Sequence, residues 1–233
     1  MIIENPIILQ IETTAKNCSV SISKGKELLC LCEENDEQFS HGEKLHLFIE
    51  WALEGAEITL QDLDAVSVSK GPGSYTGLRI GVSSAKGLCY TLGIPLLAIN
   101  TLDAMIEVDF NEIFDYYIPC IDARRMEIFC KTFDTHKNAI SETENIIISE
   151  QFFEDKLNKK IAFIGSGSNK IEDLYKSLQI DNNEFKFFNE PISSSKNMIE
   201  LTLKKYHEKD FEDVAYFEPF YLKPVHITEK KVK

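Results

Sequence analysis

The sequence predicts a mixed α/β fold made of two subdomains, of which the second is reduced. Three strand-like runs in the first half are followed by helix, strand, helix and strand. A helix that connects two neighbouring strands requires a parallel crossover. The second half repeats this order more loosely. The predicted strands of the first half are Ile7–Glu12, 18–23, 28–32, 65–69 and 96–99, and its main helices are 42–55 and Tyr75–Leu92.

The second half carries shorter apolar runs, and we predict a subdomain boundary near residue 105, which divides the chain into 1–105 and 106–233. Side-chain oxygens suited to helix N-caps precede two helical patterns. Asn100 or Thr101 should cap a helix from about Leu102, and Ser193 or Ser194 a helix that runs to residue 206. The predicted strands here are 116–121, 126–133, 146–149 and Ile161–Ile164, with a helical pattern from 165–169 to about 178.

The helix Tyr75–Leu92 has a stripe of small residues on one face. Two glycines inside a helix cost about 2 kcal/mol relative to alanine, so we expect another backbone to approach the stripe closely. We predict that the stripe, together with Tyr75, docks a partner, and that Gly81→Leu leaves the chain folded. At 100° per residue, the stripe within about 60° is Gly77, Gly81, Ser84 and Leu88. The adjacent face, which can cover the protein's own sheet, is Leu78, Val82 and Cys89.

The helix 42–55 has two apolar strips. The first is the expected core stripe and consists of Leu45, Phe48, Ile49, Ala52 and Leu53. Leu47 and Trp51, four residues apart, form the second strip on the far side of the helix. The chain has one Trp, and an exposed Trp beside a Leu is typical of a protein–protein contact. The alternative, that the second subdomain or the C-terminal tail covers this strip, stays open.

The glycine–proline turn at 71–73 has two interpretations. A turn before a helix N-terminus can bind phosphate through backbone N–H groups. The candidate contacts are Glu12, Thr13, Gly71, Gly73 and Ser74. The turn lacks the spacing and the lysine of a P-loop, so a tight strand-to-helix turn, capped by Ser74 or Thr76, is the favoured interpretation.

Composition and charge exclude several classes of function. The chain has 233 residues, 43% of them hydrophobic, and a formal net charge of −13. Such a surface repels phosphate backbones, so we do not expect the chain to bind nucleic acid by itself. Apolar runs fall far short of the roughly 20 residues that span a bilayer, and the N-terminus has no basic region typical of a signal peptide.

Cysteine and histidine spacing does not favour a metal site. The cysteines form no CxxC pair and lie mostly in apolar segments, which favours buried thiols. His41 and His46 are five residues apart, so their rings point about 140° away from each other on a helix. One zinc ion cannot be held by both rings on one helix face. The cysteines are at positions 18, 30, 32, 89, 120 and 130.

The stretch KGPGSYTGLRIGVSSAKGL resembles the bacterial TsaB (YeaZ) family. The resemblance continues through ILQIETTAKNCSVSI, IPLLAINTLDAM, IDARRMEIF and FYLKP, and it covers the first half better than the second. It implies the actin/sugar-kinase/Hsp70 (ASKHA) fold, a cytoplasmic location and a role in forming threonylcarbamoyladenosine at position 37 of ANN-decoding tRNAs.

The resemblance also implies a non-catalytic subunit that pairs with a catalytic TsaD-type protein through the helices 42–55 and Tyr75–Leu92. ATP and metal are then expected on that partner, with no cofactor held by this chain alone. A TsaE-type ATPase and a TsaC-type enzyme that supplies threonylcarbamoyl-AMP complete the pathway, and tRNA is reached only indirectly. The sequence leaves open whether the isolated chain forms a homodimer, whether nucleotide binds at the partner interface, and what Arg124 and Arg125 contact.

One departure from the family concerns the end of the first strand. TsaB relatives usually have Asp-Thr-Ser where this chain has Glu12-Thr13-Thr14, and ATPases of the superfamily place a metal-organising aspartate there. A glutamate that accepts hydrogen bonds from turn N–H groups is the favoured interpretation. The alternative function is an autonomous ASKHA enzyme, either an ATP-dependent kinase or an M22-type metallopeptidase.

Overall fold

The computed structural model describes residues 3–35, 41–179, 184–189 and 193–223. In this part the chain forms two five-stranded sheets. The first sheet has the order β3-β2-β1-β4-β5, with antiparallel pairs β1–β2 and β2–β3 and parallel pairs β1–β4 and β4–β5. Its strands are β1 Ile7–Glu12, β2 Asn17–Lys24, β3 Glu27–Asn35, β4 Ala65–Gly71 and β5 Leu96–Asn100.

Two helices cover one face of this sheet. They are α1 His41–Gly55 and α2 Tyr75–Leu92. The Ser74 side chain accepts a hydrogen bond from the Gly77 N–H, and Gly93, at φ 67°, ends the helix in the left-handed conformation that suits glycine. Apolar side chains of the helices and strands fill the space between, including Leu45, Phe48, Val66 and Val82.

The second sheet repeats the strand order of the first. Its order is β10-β9-β6-β7-β8, with β6–β7 and β7–β8 antiparallel and β6–β9 and β9–β10 parallel. The short helix α3, Thr101–Met105, leads into it and is capped by the Asn100 side chain, as predicted. The remaining elements are β6 Tyr116–Asp122, β7 Glu127–Cys130, β8 Glu144–Ile147, β9 Ile161–Ile164, α4 Ser168–Ser177 and β10 Phe185–Phe188.

After the second sheet, the chain returns to the first one. A 3-10 turn, Ser195–Met198, and helix α5, Ile199–Glu208, pack on the face opposite to α1 and α2. The contact is rich in hydroxyl groups: Ser67 pairs with Thr202 at 2.8 Å and Ser19 with Ser195 at 2.8 Å. The predicted assignment of 106–233 to the second subdomain therefore needs correction for this segment.

Other elements differ from the prediction in extent or in start. The expected strand 126–133 is shorter, β10 was not predicted, and the helix expected after Ser193 or Ser194 starts later. Those serines do not cap it: Met198 occupies the N-cap position of α5, and Ser194, which precedes the 3-10 turn, donates its hydroxyl to Glu33 instead. In the described ranges, no helix combines the length and the apolar character needed to cross a bilayer.

Candidate functional site

The exposed side of α1 carries the apolar strip that helical periodicity predicts. Leu47 is 45% exposed and Trp51 is 51% exposed. The Trp51 ring rests against the ring of Phe48, with centroids 5.6 Å apart, so one part of the indole is packed and the other faces solvent. Residues 193–223 pass over the other side of the sheet and along α2, and the tail beyond residue 223 lies outside the described part of the chain.

A groove separates α1 from α2 beside this strip. Its volume is about 350 Å³. Leu88 of α2 lines it, as the sequence stripe suggested, and is half-buried, as is Ser84. Acidic and imidazole groups border an apolar floor, which is a composition suited to a partner with an apolar side chain and a basic rim. The other lining residues are His46, Ile49, Glu50, Leu53, Glu54, Ile58 and Leu60.

The two glycines of the predicted docking stripe point inward instead. Gly77 and Gly81 are buried, and the Thr13 hydroxyl donates to the Gly77 carbonyl at 2.8 Å. A Cβ on Gly81 would lie 2.3 Å from Thr13 Oγ1 and 3.5 Å from Val68 Cγ2. The close approach expected at this stripe is therefore with the protein's own first sheet, which contradicts the outward-facing glycine on which the expectation for Gly81→Leu depends.

Tyr75 is also engaged within the chain. Its ring lies 5.0 Å from that of Tyr221, and the guanidinium of Arg79 lies 4.2 Å above it. Residues 211–223, the C-terminal segment, follow α2 here: Lys86 donates to the carbonyl of Phe217 at 2.9 Å. Sequence reasoning missed Tyr90, which is 84% exposed on α2. An aromatic residue on the polar side of that helix was the available signal.

The residues considered for phosphate binding pack against one another. Glu12 is fully buried and accepts hydrogen bonds from the Thr14 N–H at 2.6 Å and from the Ser69 hydroxyl. Burial raises the pKa of Glu12, and the hydrogen bonds from Ser69 and Thr14 oppose this shift. The favoured interpretation, a carboxyl group that accepts turn hydrogen bonds, agrees with this geometry.

The glycine–proline turn lies directly on the turn after β1. A Cβ on Gly73 would lie 2.6 Å from the Thr14 carbonyl oxygen, and the Ser74 N–H donates to that same oxygen at 2.7 Å. On Gly71, at φ 110°, a Cβ would lie 2.8 Å from the carbonyl oxygen of Phe220. These contacts occupy the space and the Ser74 donor that a phosphate group would need, and they favour the tight-turn interpretation.

The grouping of titratable side chains bears on the metal site considered from the sequence. Within the described residues, no three His, Cys, Asp or Glu side chains are grouped to hold a metal ion. The His41 side chain lies outside that part, so the prediction that His41 and His46 do not hold one metal ion together stays a prediction. The six cysteines are free, and four of them are buried. Burial, with a smaller contribution from the Glu12 charge, raises the pKa of Cys18 to about 11.

Known proteins resemble this chain over most of its length. The family described as TsaD, tRNA N6-adenosine threonylcarbamoyltransferase, matches residues 36–230. The "tRNA threonylcarbamoyladenosine biosynthesis protein TsaB" of Buchnera aphidicola from Schizaphis graminum is 32% identical and covers 71% of this chain and 81% of its own length. The protein of the same description from Escherichia coli K12 is 24% identical over 93% of this chain and 94% of its own length.

A solved structure resembles the fold. YeaZ from Pseudomonas aeruginosa superposes with a TM-score of 0.77 at 18% identity, covering 93% of this chain and 100% of its own. This likeness concerns the fold alone. Together with the duplicated strand order and the family match, it confirms the predicted ASKHA fold of two mixed α/β halves.

Proposed function

This chain belongs to the TsaB (YeaZ) family, and we propose that it serves as a non-catalytic subunit in the N6-threonylcarbamoylation of tRNA adenosine 37. In this proposal it pairs with a TsaD-type catalytic protein and orders or reorients it, which is an allosteric scaffold role. ATP and metal belong to that partner, a TsaE-type ATPase joins them, and tRNA reaches this chain through the complex. The site of action is the cytoplasm.

The observation that carries the proposal is the exposed strip of Leu47 and Trp51 beside the groove between α1 and α2. A large aromatic side chain that is half packed and half solvated contributes much binding free energy when a partner covers its remaining surface. Glu50 and Glu54 at the groove favour a partner with basic groups at its rim.

The packing of the residues that were considered for phosphate binding supports the proposal that this chain has no catalytic activity of its own. Glu12 is buried beneath the turn instead of facing a cleft, and Gly73 and Ser74 pack on the Thr14 carbonyl. Such packing leaves these groups engaged in holding β1, β4 and α2 together, which is a structural role.

The test is co-purification of the full chain with the TsaD homologue of the same organism, followed by a tRNA threonylcarbamoylation assay. Leu47→Ala with Trp51→Ala should weaken pairing, because truncating one central Trp typically costs about 2 kcal/mol or more. That cost corresponds to about a thirtyfold loss of affinity. Modification activity should fall with pairing, while the melting temperature of the isolated variant stays close to that of the parent.

A matched control removes one exposed aliphatic and one exposed aromatic side chain elsewhere. Ile147 on β8 is 67% exposed and Tyr216 in the C-terminal segment is 84% exposed. Ile147→Ala with Tyr216→Ala should leave pairing unchanged. Equal loss of pairing in both double variants would contradict the proposal. Stoichiometric metal and ATP turnover by the isolated chain would instead favour the autonomous enzyme.

A further inference from the structure

The turn between β6 and β7 holds two arginines in a backbone conformation that folding alone does not favour. Arg124 has φ 66° and Arg125 has φ 50°. The left-handed region is unfavourable for an L-residue other than glycine, and asparagine tolerates it better than most. Asn and Gly would therefore suit these two positions better than two arginines, so the stability of the hairpin does not explain the side chains found there.

Among the described residues, neither guanidinium group forms an ion pair within 4.0 Å, although acidic residues flank the turn and, after the hydrogen bond from Lys223, the Arg125 charge helps to lower the pKa of Glu127. Asp122 already accepts from Lys170 at 2.5 Å and from the Arg124 N–H at 2.6 Å. Glu127 already binds Lys223 at 2.5 Å and Asn145 at 2.6 Å. Because two lysines neutralise the two carboxylates, the positive charges of the exposed arginines remain available to an external anion.

The third arginine of the chain, Arg79, is linked to this turn through residues 221–223. Arg79 stacks on Tyr75 beside Tyr221, and two residues later Lys223 donates to the carbonyl of Ala123 at 3.1 Å. Two residues of extended chain span about 7 Å. Residues 221–223 thus connect the surroundings of all three arginines of this lysine-rich chain, Arg79, Arg124 and Arg125, which together we call the arginine band.

The chemistry of the band points to phosphate. The planar guanidinium binds phosphate oxygens in a bidentate manner, which the ammonium of lysine cannot do. Exposed aromatic rings accompany the cations, since Phe220 is 39% exposed and Tyr221 is 37% exposed, and such a mixture is typical of surfaces that contact RNA. With a net charge of −13, a polyanion can approach closely only at a local positive surface of this kind.

We propose that the arginine band, chiefly Arg124 and Arg125, contacts the phosphate backbone of an RNA chain. The proposed function enters only in the choice of RNA as the anion. Alone, the band offers few phosphate contacts, so binding by the isolated chain is weak at physiological salt and becomes measurable at low ionic strength. In the complex, the partner adds the remaining contacts.

The test uses the full chain and an anticodon stem-loop RNA at low ionic strength. The side-chain Nε–Hε resonances of Arg79, Arg124 and Arg125 give separate NMR signals, because the chain has no other arginine. Those of Arg124 and Arg125 should shift with added RNA and return with added salt. In Arg124→Asn with Arg125→Gly, which fits the turn and should melt no lower than the parent, RNA affinity should fall about tenfold.

The salt dependence supplies a second readout. Removing two phosphate contacts should reduce the slope of log affinity against log salt by about 1.4–1.8. The control, Lys24→Asn with Lys204→Gln, also removes two positive charges, one in the β2–β3 hairpin and one on α5, and should leave the arginine shifts in place.

Three outcomes would overturn the inference. They are RNA binding that leaves the two signals unmoved, a lack of RNA binding at low ionic strength, and shifts produced by a glutamate-rich peptide but not by RNA. The last would identify an acidic protein as the occupant. Pairing with the TsaD homologue is measured separately on Arg124→Asn with Arg125→Gly and should be unchanged, so that failure of the band and failure of the proposed function give different results.

Discussion

The carboxyl group of Glu12 is buried at the end of β1, where burial raises its pKa above the ordinary value of 4.5. The folded state therefore favours the neutral acid. As the pH rises from about 4.5 through the raised pKa, the unfolded state loses its proton first, so the free energy of unfolding falls over this interval and stays lower above it.

Glu12→Gln removes this titration and keeps an oxygen that can accept from the Thr14 N–H. Relative to the parent, the variant should gain stability as the pH rises, by about 1.4 kcal/mol for each unit of pKa shift. Urea denaturation at pH 5 and pH 8 measures the difference. Glu154→Gln, at an exposed position, is the control, and a stability difference for Glu12→Gln that is independent of pH would contradict the expectation.

Two glycines that lie about 120° apart around α2 give a second prediction. A Cβ at Gly81 would press on Thr13 Oγ1, whereas a Cβ at Gly87 meets no atom within 4 Å. Gly87→Ala should stabilise the protein by about 1 kcal/mol through helix propensity. Gly81→Ala should destabilise it by about 1–3 kcal/mol through overpacking.

Thermal melts of the isolated chain measure both substitutions, with about 2–4 °C expected per kcal/mol for a chain of this size. Equal melting temperatures for the two variants would mean that the Thr13 side chain can move away from the new Cβ without loss of stability. A partner-docking role of Gly81 predicts the same intact melt together with lost pairing, so the pull-down with the TsaD homologue separates the two interpretations.

At the scale of elements, α5 is held on the first sheet by hydrogen bonds as well as by apolar contact. Ser67 on β4 and Thr202 on α5 pair within a fully buried interface. Ser67→Ala or Thr202→Val alone leaves one buried hydroxyl without its partner, which should cost about 1–3 kcal/mol. The double variant should cost less than the sum, and urea denaturation of all four proteins measures the coupling. Additive losses would show that the pair does not interact.

Elements with local signals could be predicted from the sequence. Helix α2 has the predicted bounds, because both of its ends depend on local chemistry. The Ser74 side chain caps the first turn, and Gly93 adopts the left-handed conformation that ends the helix. The start of α5 could not be predicted, since the Ser194 hydroxyl donates a hydrogen bond to Glu33, which is far away in sequence. Strand β10 depends in the same way on pairing with β9.

In the candidate site, too, local sequence patterns predict some features, and contacts between distant parts of the chain decide the others. Periodicity places Leu47 and Trp51 opposite the core stripe of α1, and their exposure is confirmed. Periodicity also groups Gly77 with Gly81, but an angle around a helix does not say which backbone lies opposite. That the neighbour is the turn after β1 depends on the parallel pairing of β1 with β4, which no local pattern encodes.

For the whole molecule, charge and topology have separate roles. The two sheets share one strand order, and residues 211–223 run from the side of α2 to the turn of the second sheet, where Lys223 binds Glu127. The apolar strip lies on α1, whereas Arg124 and Arg125 of the proposed arginine band lie in the turn between β6 and β7. The two proposed contacts therefore use different elements of the fold.

The return of α5 to the first sheet also matters while the protein is being made. Ribosomes add about 5–20 residues per second, so the strands β1–β5 emerge several seconds before the helix that covers them, Ile199–Glu208. During that delay, the face of the first sheet that α5 will cover exposes Gln10, Ser21 and Ser67, whose polar groups can form hydrogen bonds with water. The same face also carries the apolar Ile8 and Leu97, so the polar groups reduce, without abolishing, the sticky surface that the nascent chain exposes before α5 covers it.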